Sequence, residues 1–223
     1  MNLYLMLGFS GLIAIINGFA VSYRQRKINY ITKPGPILIL IITLFLLPSQ
    51  THLTRWFIAA LSLSAAGDIL LLFGERFFLL GLGAFLGAHL SYIIALNKTL
   101  PPRQPPLILL LLGAISLTSA LYTPLYKALR KRGQKSFILP TLLYALSLTG
   151  MLTSCFAAWV RPTWSQQSSF FLSLGGSSFF LSDAMLAWHR FISTLKNRDI
   201  KVRLTYYLGQ ICLAFGVILQ SQA

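Results

Sequence analysis

The chain has 223 residues, of which 56% are hydrophobic and only 10% charged, and its mean hydropathy is +0.70. Soluble domains carry about 25% charged residues, so a water-soluble fold is excluded. Nineteen Lys and Arg against four Asp and Glu give a formal charge of +15, but the basic residues stand in short links between apolar runs, which is a membrane-topology pattern and points away from nucleic acid.

A membrane-crossing helix needs about 20 mostly apolar residues, fewer where protein neighbours shield it. Eight spans are predicted on that rule, at 3–22, 35–51, 53–73, 77–97, 105–122, 137–160, 166–190 and 202–220. No basic stretch precedes the first run, and Arg24, Arg26 and Lys27 follow it, so it is expected to be a retained span and not a cleaved signal peptide. The links carry breakers: Lys33-Pro34-Gly35-Pro36, Pro48, Pro101-Pro102, Pro105-Pro106, Pro124 and Arg161-Pro162. No link is long enough for a domain. The expected architecture is therefore all-α, a polytopic membrane helix bundle forming a single domain over residues 1–223.

Basic residues collect on the cytoplasmic side of membrane proteins. Here the even-numbered links hold only Arg55, Lys98, Arg103 and Arg161, and the other fifteen Lys and Arg fall in the odd-numbered links. Both termini are thus expected on the outer side of a cell (inner) membrane.

Two of the four acidic residues, Asp68 in span 3 and Asp183 in span 7, lie inside apolar runs. A carboxylate at such depth costs several kcal/mol and persists where it faces a bundle interior or a wet cavity. Both spans run outside to inside, and the aspartates stand about five and seven residues before their ends. At 1.5 Å per residue the two carboxylates share nearly one depth, in the cytoplasmic half. Around them stand small-Asp-x-x-Leu phrases, Gly67-Asp68-Ile69-Leu70-Leu71 and Ser182-Asp183-Ala184-Met185-Leu186, compatible with a duplication but short.

Other polar residues converge on that layer. Tyr144 enters with span 6, and Tyr206, Tyr207 and Gln210 with span 8; His89 and Tyr92 are somewhat deeper in span 4, and Lys33 stands at the mouth of span 2. Together they outline a polar cavity opening inward. For His89, a satisfied core histidine and a functional one both fit; for Tyr206 and Tyr207, an interfacial or core aromatic fits as well.

Metal chemistry finds little support. Cys155 and Cys212 are far apart in apolar runs, and of His52, His89 and His189 the first falls on the outer side. No Gly-x-Ser-x-Gly elbow marks a serine nucleophile. Gly83 and Gly87 form a GxxxG expected to let span 4 pack closely. No metal and no cofactor is expected.

The ordered set Lys33-Pro34, Ala66-Gly67-Asp68-Ile69-Leu70-Leu71, Phe78 to Phe85, Ala88-His89-Leu90-Ser91-Tyr92, Phe180-Leu181-Ser182-Asp183 and Thr205-Tyr206-Tyr207-Leu208-Gly209-Gln210 resembles the YhhN-type lysoplasmalogenase family over almost the whole chain. The resemblance implies an eight-helix membrane enzyme that hydrolyses the vinyl ether bond of lysoplasmalogens to a fatty aldehyde and glycerophospho-ethanolamine or -choline. It also implies catalytic roles for Asp68 and Asp183; the polar residues that depth gathers around them, Lys33, His89, Tyr92, Tyr144, Tyr206, Tyr207 and Gln210, with Ser182 beside Asp183, are the substrate-binding candidates. The partners are then a lysophospholipid and the bilayer; oligomeric state is not legible.

Vinyl ethers hydrolyse through protonation of the β-carbon, an oxocarbenium ion and a hemiacetal. One protonated and one ionised carboxyl suit that course, as in glycoside hydrolysis. Either aspartate fits either role; the preferred assignment makes Asp183 the acid and Asp68 the ionised partner that orients water. Lys33 is placed to meet the phosphate, or to snorkel toward lipid phosphates. Intramembrane carboxylates also mark proton or cation relays, so a small coupled transporter is the alternative, disfavoured because the polar residues cluster in one half of the bundle.

Overall fold

The computed structural model describes residues 3–23, 25–99 and 105–222; of the predicted links, Arg24, Pro101, Pro102 and Arg103 lie outside the described residues. The described chain forms α1 (Leu3–Ser22), α2 (Arg26–Thr32), α3 (Gly35–Phe45), α4 (His52–Leu72), α5 (Phe78–Leu96), α6 (Pro105–Lys131), α7 (Ile138–Phe156), α8 (Gln166–Phe191) and α9 (Arg198–Gln222). With α2 and α3 counted as one broken span, eight stretches are long and apolar enough to cross a membrane, as expected from the sequence.

Two boundaries differ instructively from expectation. The second span begins earlier, at α2, and breaks at Lys33-Pro34: proline has no N–H to continue the ladder of α2, although Lys33 and Pro34 both keep right-handed helical backbone angles. Conversely, α6 runs straight through Pro124 and ends at Lys131, nine residues beyond the predicted 122. One proline removes one ladder bond; the stop comes from Gly133, whose positive φ of 69° lets Gln134 N–H turn back to the Leu129 carbonyl. Thr51 caps α4 by accepting from Thr54 N–H, and Ser165 caps α8 by accepting from Ser168 N–H.

The bundle is organised around α9, which packs most extensively on α8 and also touches α1, α3 and α4. In lipid no hydrophobic gradient drives helices together, so association depends on close backbone approach at small residues. Gly175 and Gly209 supply it: a Cβ on Gly175 would lie 2.7 Å from Leu213 N, and one on Gly209 2.8 Å from Phe179 N. Those obstructions are backbone and cannot rotate away. Gly175→Val is therefore expected to separate α8 from α9 and cost at least about 1–3 kcal/mol of stability, read as a lower unfolding temperature in detergent; an unchanged temperature would contradict this seam. The predicted GxxxG behaves differently, since a Cβ on Gly87 would meet Leu63 at 3.2 Å whereas Gly83 faces open space. At the other extreme, only 6% of the apolar stretch of α6 is buried, against 56% in α9. The periphery of the bundle is α6, touching α7, α8 and short 3₁₀ turns.

Candidate active site

Asp68 and Asp183 are 4% and 7% exposed, and both line one cavity of about 670 Å³. It is built from α2, the ends of α4 and α8, and the starts of α5 and α9, all on the side of the odd-numbered links. The chain's other two acidic residues, Glu75 and Asp199, line it as well, so every acidic side chain in the protein faces this space. Lys33, Arg190, Arg198 and Arg203 supply the opposing charge.

The two aspartates do not bond one another; each has its own partners. Tyr206 donates to Asp68 Oδ2 at 2.8 Å, and Lys33 Nζ lies 3.5 Å from Oδ1 while donating to the Asp68 carbonyl at 2.9 Å. Lys33 reaches α4 because the chain breaks there. Its own carbonyl, freed from the helix ladder, accepts from the Tyr207 hydroxyl at 2.9 Å. Tyr207 and Arg203, one turn apart on α9, also converge on Asn17 Oδ1 at 3.1 and 2.7 Å, and the Asn17 amide donates to Thr32 at 2.8 Å. Asn17 thereby ties α1, α2 and α9 behind the Lys33–Asp68 pair.

At Asp183 the Tyr144 hydroxyl donates to Oδ2. The wholly buried His89 brings Nε2 to 3.4 Å from the same oxygen, a contact and not an aligned hydrogen bond. Its Nδ1 lies 3.3 Å from Ser147 Oγ, which donates to the Tyr144 carbonyl at 2.9 Å. Among the described residues no Lys or Arg lies within ion-pairing distance of Asp183. Phe179 separates the two clusters, its ring 5.2 Å from His89 and 5.4 Å from Tyr206, with Phe85 5.9 Å from Tyr206.

The remaining predicted residues divide by depth. Ser182 lines the cavity and donates to the Val202 carbonyl at 3.0 Å, tying α8 to α9. Tyr92 and Gln210 form a buried pair at 2.6 Å off the cavity wall, where they support the floor beneath Tyr206. His189 stands at the rim and accepts from Leu195 N–H at 2.9 Å. Near it, Arg190 forks onto Glu75, with Nη1 to Oε1 at 2.9 Å, and lies 3.5 Å over the Phe78 ring. Among the described residues no three His, Cys, Asp or Glu side chains gather as a metal site.

Sequence reasoning passed over Asn17 and Arg203. Their signals were present: an amide in the middle of an apolar span, and an arginine one helical turn before Tyr207.

A second cavity, of about 80 Å³, adjoins Asp183 between α5, α6, α7 and α8; its walls are mostly apolar, with Thr118, Thr141, Thr149 and Arg190 among the polar residues that line it. Asp183 thus stands at the boundary of a polar space and an apolar one.

The model of the YhhN family matches residues 28–217 of the chain. Among curated relatives, lysoplasmalogenase TMEM86B of Mus musculus is 31% identical over 191 residues, covering 86% of this chain and 76% of the relative. Human lysoplasmalogenase TMEM86B is 28% identical, covering 84% of this chain and 74% of the relative. A lysoplasmalogenase of Mycobacterium tuberculosis is 28% identical over 168 residues, covering 73% and 60% respectively. No solved structure matches the chain.

Proposed function

Because the chain belongs to the YhhN family, we propose that it is a multi-pass membrane hydrolase that cleaves the vinyl ether bond of lysoplasmalogens, releasing a fatty aldehyde and glycerophospho-ethanolamine or -choline. The observation that carries the chemistry is the single cavity with two buried aspartates on unlike partners. Asp68, beside the Lys33 ammonium, suits an ionised carboxylate. Asp183, with a tyrosine, a histidine contact and no Lys or Arg in ion-pairing distance among the described residues, is the carboxyl we assign as the acid.

On this assignment Asp183 gives its proton to the β-carbon of the vinyl ether, leaving an oxocarbenium ion that the Asp68 carboxylate stabilises. Water adds to the carbon bonded to oxygen, and Asp68 takes the proton that water loses. As the hemiacetal collapses, its hydroxyl proton returns to Asp183 and the proton on Asp68 passes to the departing glycerol oxygen. Both carboxyls end as they began. The logic is that of the paired carboxyls of glycoside hydrolases, which handle a similar cation. Tyr144 and His89 hold the acid in place, and Tyr206 orients the base.

The phosphate of the substrate meets Lys33 and Arg203. Arg203 lines the cavity, donates to Asn17 and forms no carboxylate ion pair among the described residues, so its remaining donors are the ones we assign to the phosphate. The cavity mouth lies on the side carrying fifteen of the nineteen basic residues, which supports a cytoplasmic opening in the inner membrane.

Detergent-purified protein incubated with a lysoplasmalogen is expected to release fatty aldehyde; none released would refute the function. Arg203→Ala is expected to raise KM about tenfold or more, the worth of one charge-assisted hydrogen bond, with kcat little changed. A fall confined to kcat would place Arg203 outside phosphate recognition.

A further inference from the structure

We propose that the apolar cavity beside Asp183 holds the first carbons of the substrate's hydrocarbon chain, and that the rest of the chain leaves through the seam between α6 and α7 into the bilayer. This rests on the hydrolase function above and adds where the chain lies and by which face of the bundle it enters.

Asp183 lines both the polar and the apolar cavity. A lysophospholipid whose phosphate sits by Lys33 and Arg203 must pass its vinyl ether, the junction of polar head and apolar tail, across the boundary where Asp183 stands. The walls beyond include Leu82, Leu121, Leu125, Leu148, Phe180 and Ala184. About 80 Å³ admits no more than the start of a long chain, so the remainder needs an exit.

Only a thin partition separates this cavity from a groove of about 960 Å³ along α6, bounded by α5 and α7 on the other side. Thr118, Tyr122 and Thr149 line both spaces. Thr118 donates to Thr149 at 2.9 Å across the seam, and the Tyr122 hydroxyl donates to the Ile138 carbonyl at 2.7 Å. Opening the seam at the threonines strands no polar group, because Thr118 has the Ala114 carbonyl and Thr149 the Ala145 carbonyl within 2.8 Å on their own helices. The helix that must yield is α6, the least buried in the bundle. From Thr123 back to Leu107 the groove follows roughly 24 Å of helix, more than the roughly 15 Å depth of one leaflet's hydrocarbon. A chain in it runs parallel to the lipid tails, so the substrate passes between leaflet and site without turning over.

Two experiments test the route. A non-hydrolysable 1-O-alkyl lysophosphatidylethanolamine with a chain diazirine, photolysed with the protein in nanodiscs, should label α6 and α7 around Leu121 and Leu148, and excess unlabelled alkyl lipid should compete. Labelling of α1, α3 or α9 instead, or labelling without competition, overturns the proposal. In Thr118→Cys/Thr149→Cys, oxidation to a disulfide should reduce turnover of a long-chain lysoplasmalogen by about tenfold or more, with recovery on reduction. Equal long-chain turnover in the oxidised and reduced forms also overturns it. If the double variant does not fold, the labelling map decides alone. Failure of the function itself is distinguishable, since wild type would then release no aldehyde whatever the alkyl probe labels.

Discussion

Asp183→Asn is expected to lower kcat for aldehyde release by about 10²- to 10⁴-fold, the usual worth of a positioned general acid, with KM close to wild type. Asparagine nearly matches aspartate in shape and still offers an oxygen to the Tyr144 hydroxyl, the partner Asp183 has in the fold. The substitution removes a proton source without opening a cavity or stranding a charge, so the unfolding temperature in detergent should move little. Tyr144→Phe should cost less, because it removes only the hydroxyl that bonds the proposed acid. Aldehyde release under saturating lysoplasmalogen, measured beside the unfolding temperature, decides the matter. Wild-type kcat in folded Asp183→Asn would remove Asp183 from the chemistry.

Asp68→Asn should show a comparable loss of turnover with a different structural signature. Lys33 Nζ is 3.5 Å from the Asp68 carboxylate and its side chain is only 11% exposed, so neutralising Asp68 leaves an ammonium without its counter-charge in a largely buried place. Breaking a buried pair costs about 3–5 kcal/mol when no water reaches it. Because this pair borders an open cavity, a fraction of that is expected. Adding Lys33→Met to Asp68→Asn should restore much of the lost stability while activity stays low. Because Lys33 is also proposed to meet the phosphate, kcat at saturating substrate is compared with that of Lys33→Met alone; recovered stability with kcat still far below that of Lys33→Met separates the structural role of the pair from the proposed catalytic role of Asp68. Recovered turnover would mean that Asp68 serves only to neutralise Lys33. The asymmetry between the variants follows from their surroundings: Asp183 has a tyrosine and a histidine contact, Asp68 a tyrosine and a cation.

Much of the bundle was legible along the chain because a span is a local property: about twenty apolar residues in succession satisfy the length and composition of a bilayer wherever they fall. Helix ends were less legible where they depend on a single residue's backbone. Pro124 looks like a stop and is not, because α6 continues until Gly133 adopts positive φ. Lys33-Pro34 looks like the beginning of a span and is the break inside one, which directs Lys33 toward Asp68. Asn17 escaped notice because its importance lies in partners on other helices, Asn29 and Thr32 on α2 and, at the far end of the chain, Arg203 and Tyr207 on α9.

For the two aspartates, the sequence by itself determined their presence in apolar spans and, through the 1.5 Å rise per residue, their common depth. Depth says nothing of rotation about a helix axis or of which helices are neighbours. The tertiary structure decided both, since the close approach at Gly175 and Gly209 sets how α8 lies on α9. That packing turns Asp183 and Tyr206 toward the same interior as Asp68. Helix pairing in a membrane follows the fit of small residues on particular faces and not hydropathy, so only the assembled bundle placed both carboxylates on one cavity, each with its own tyrosine.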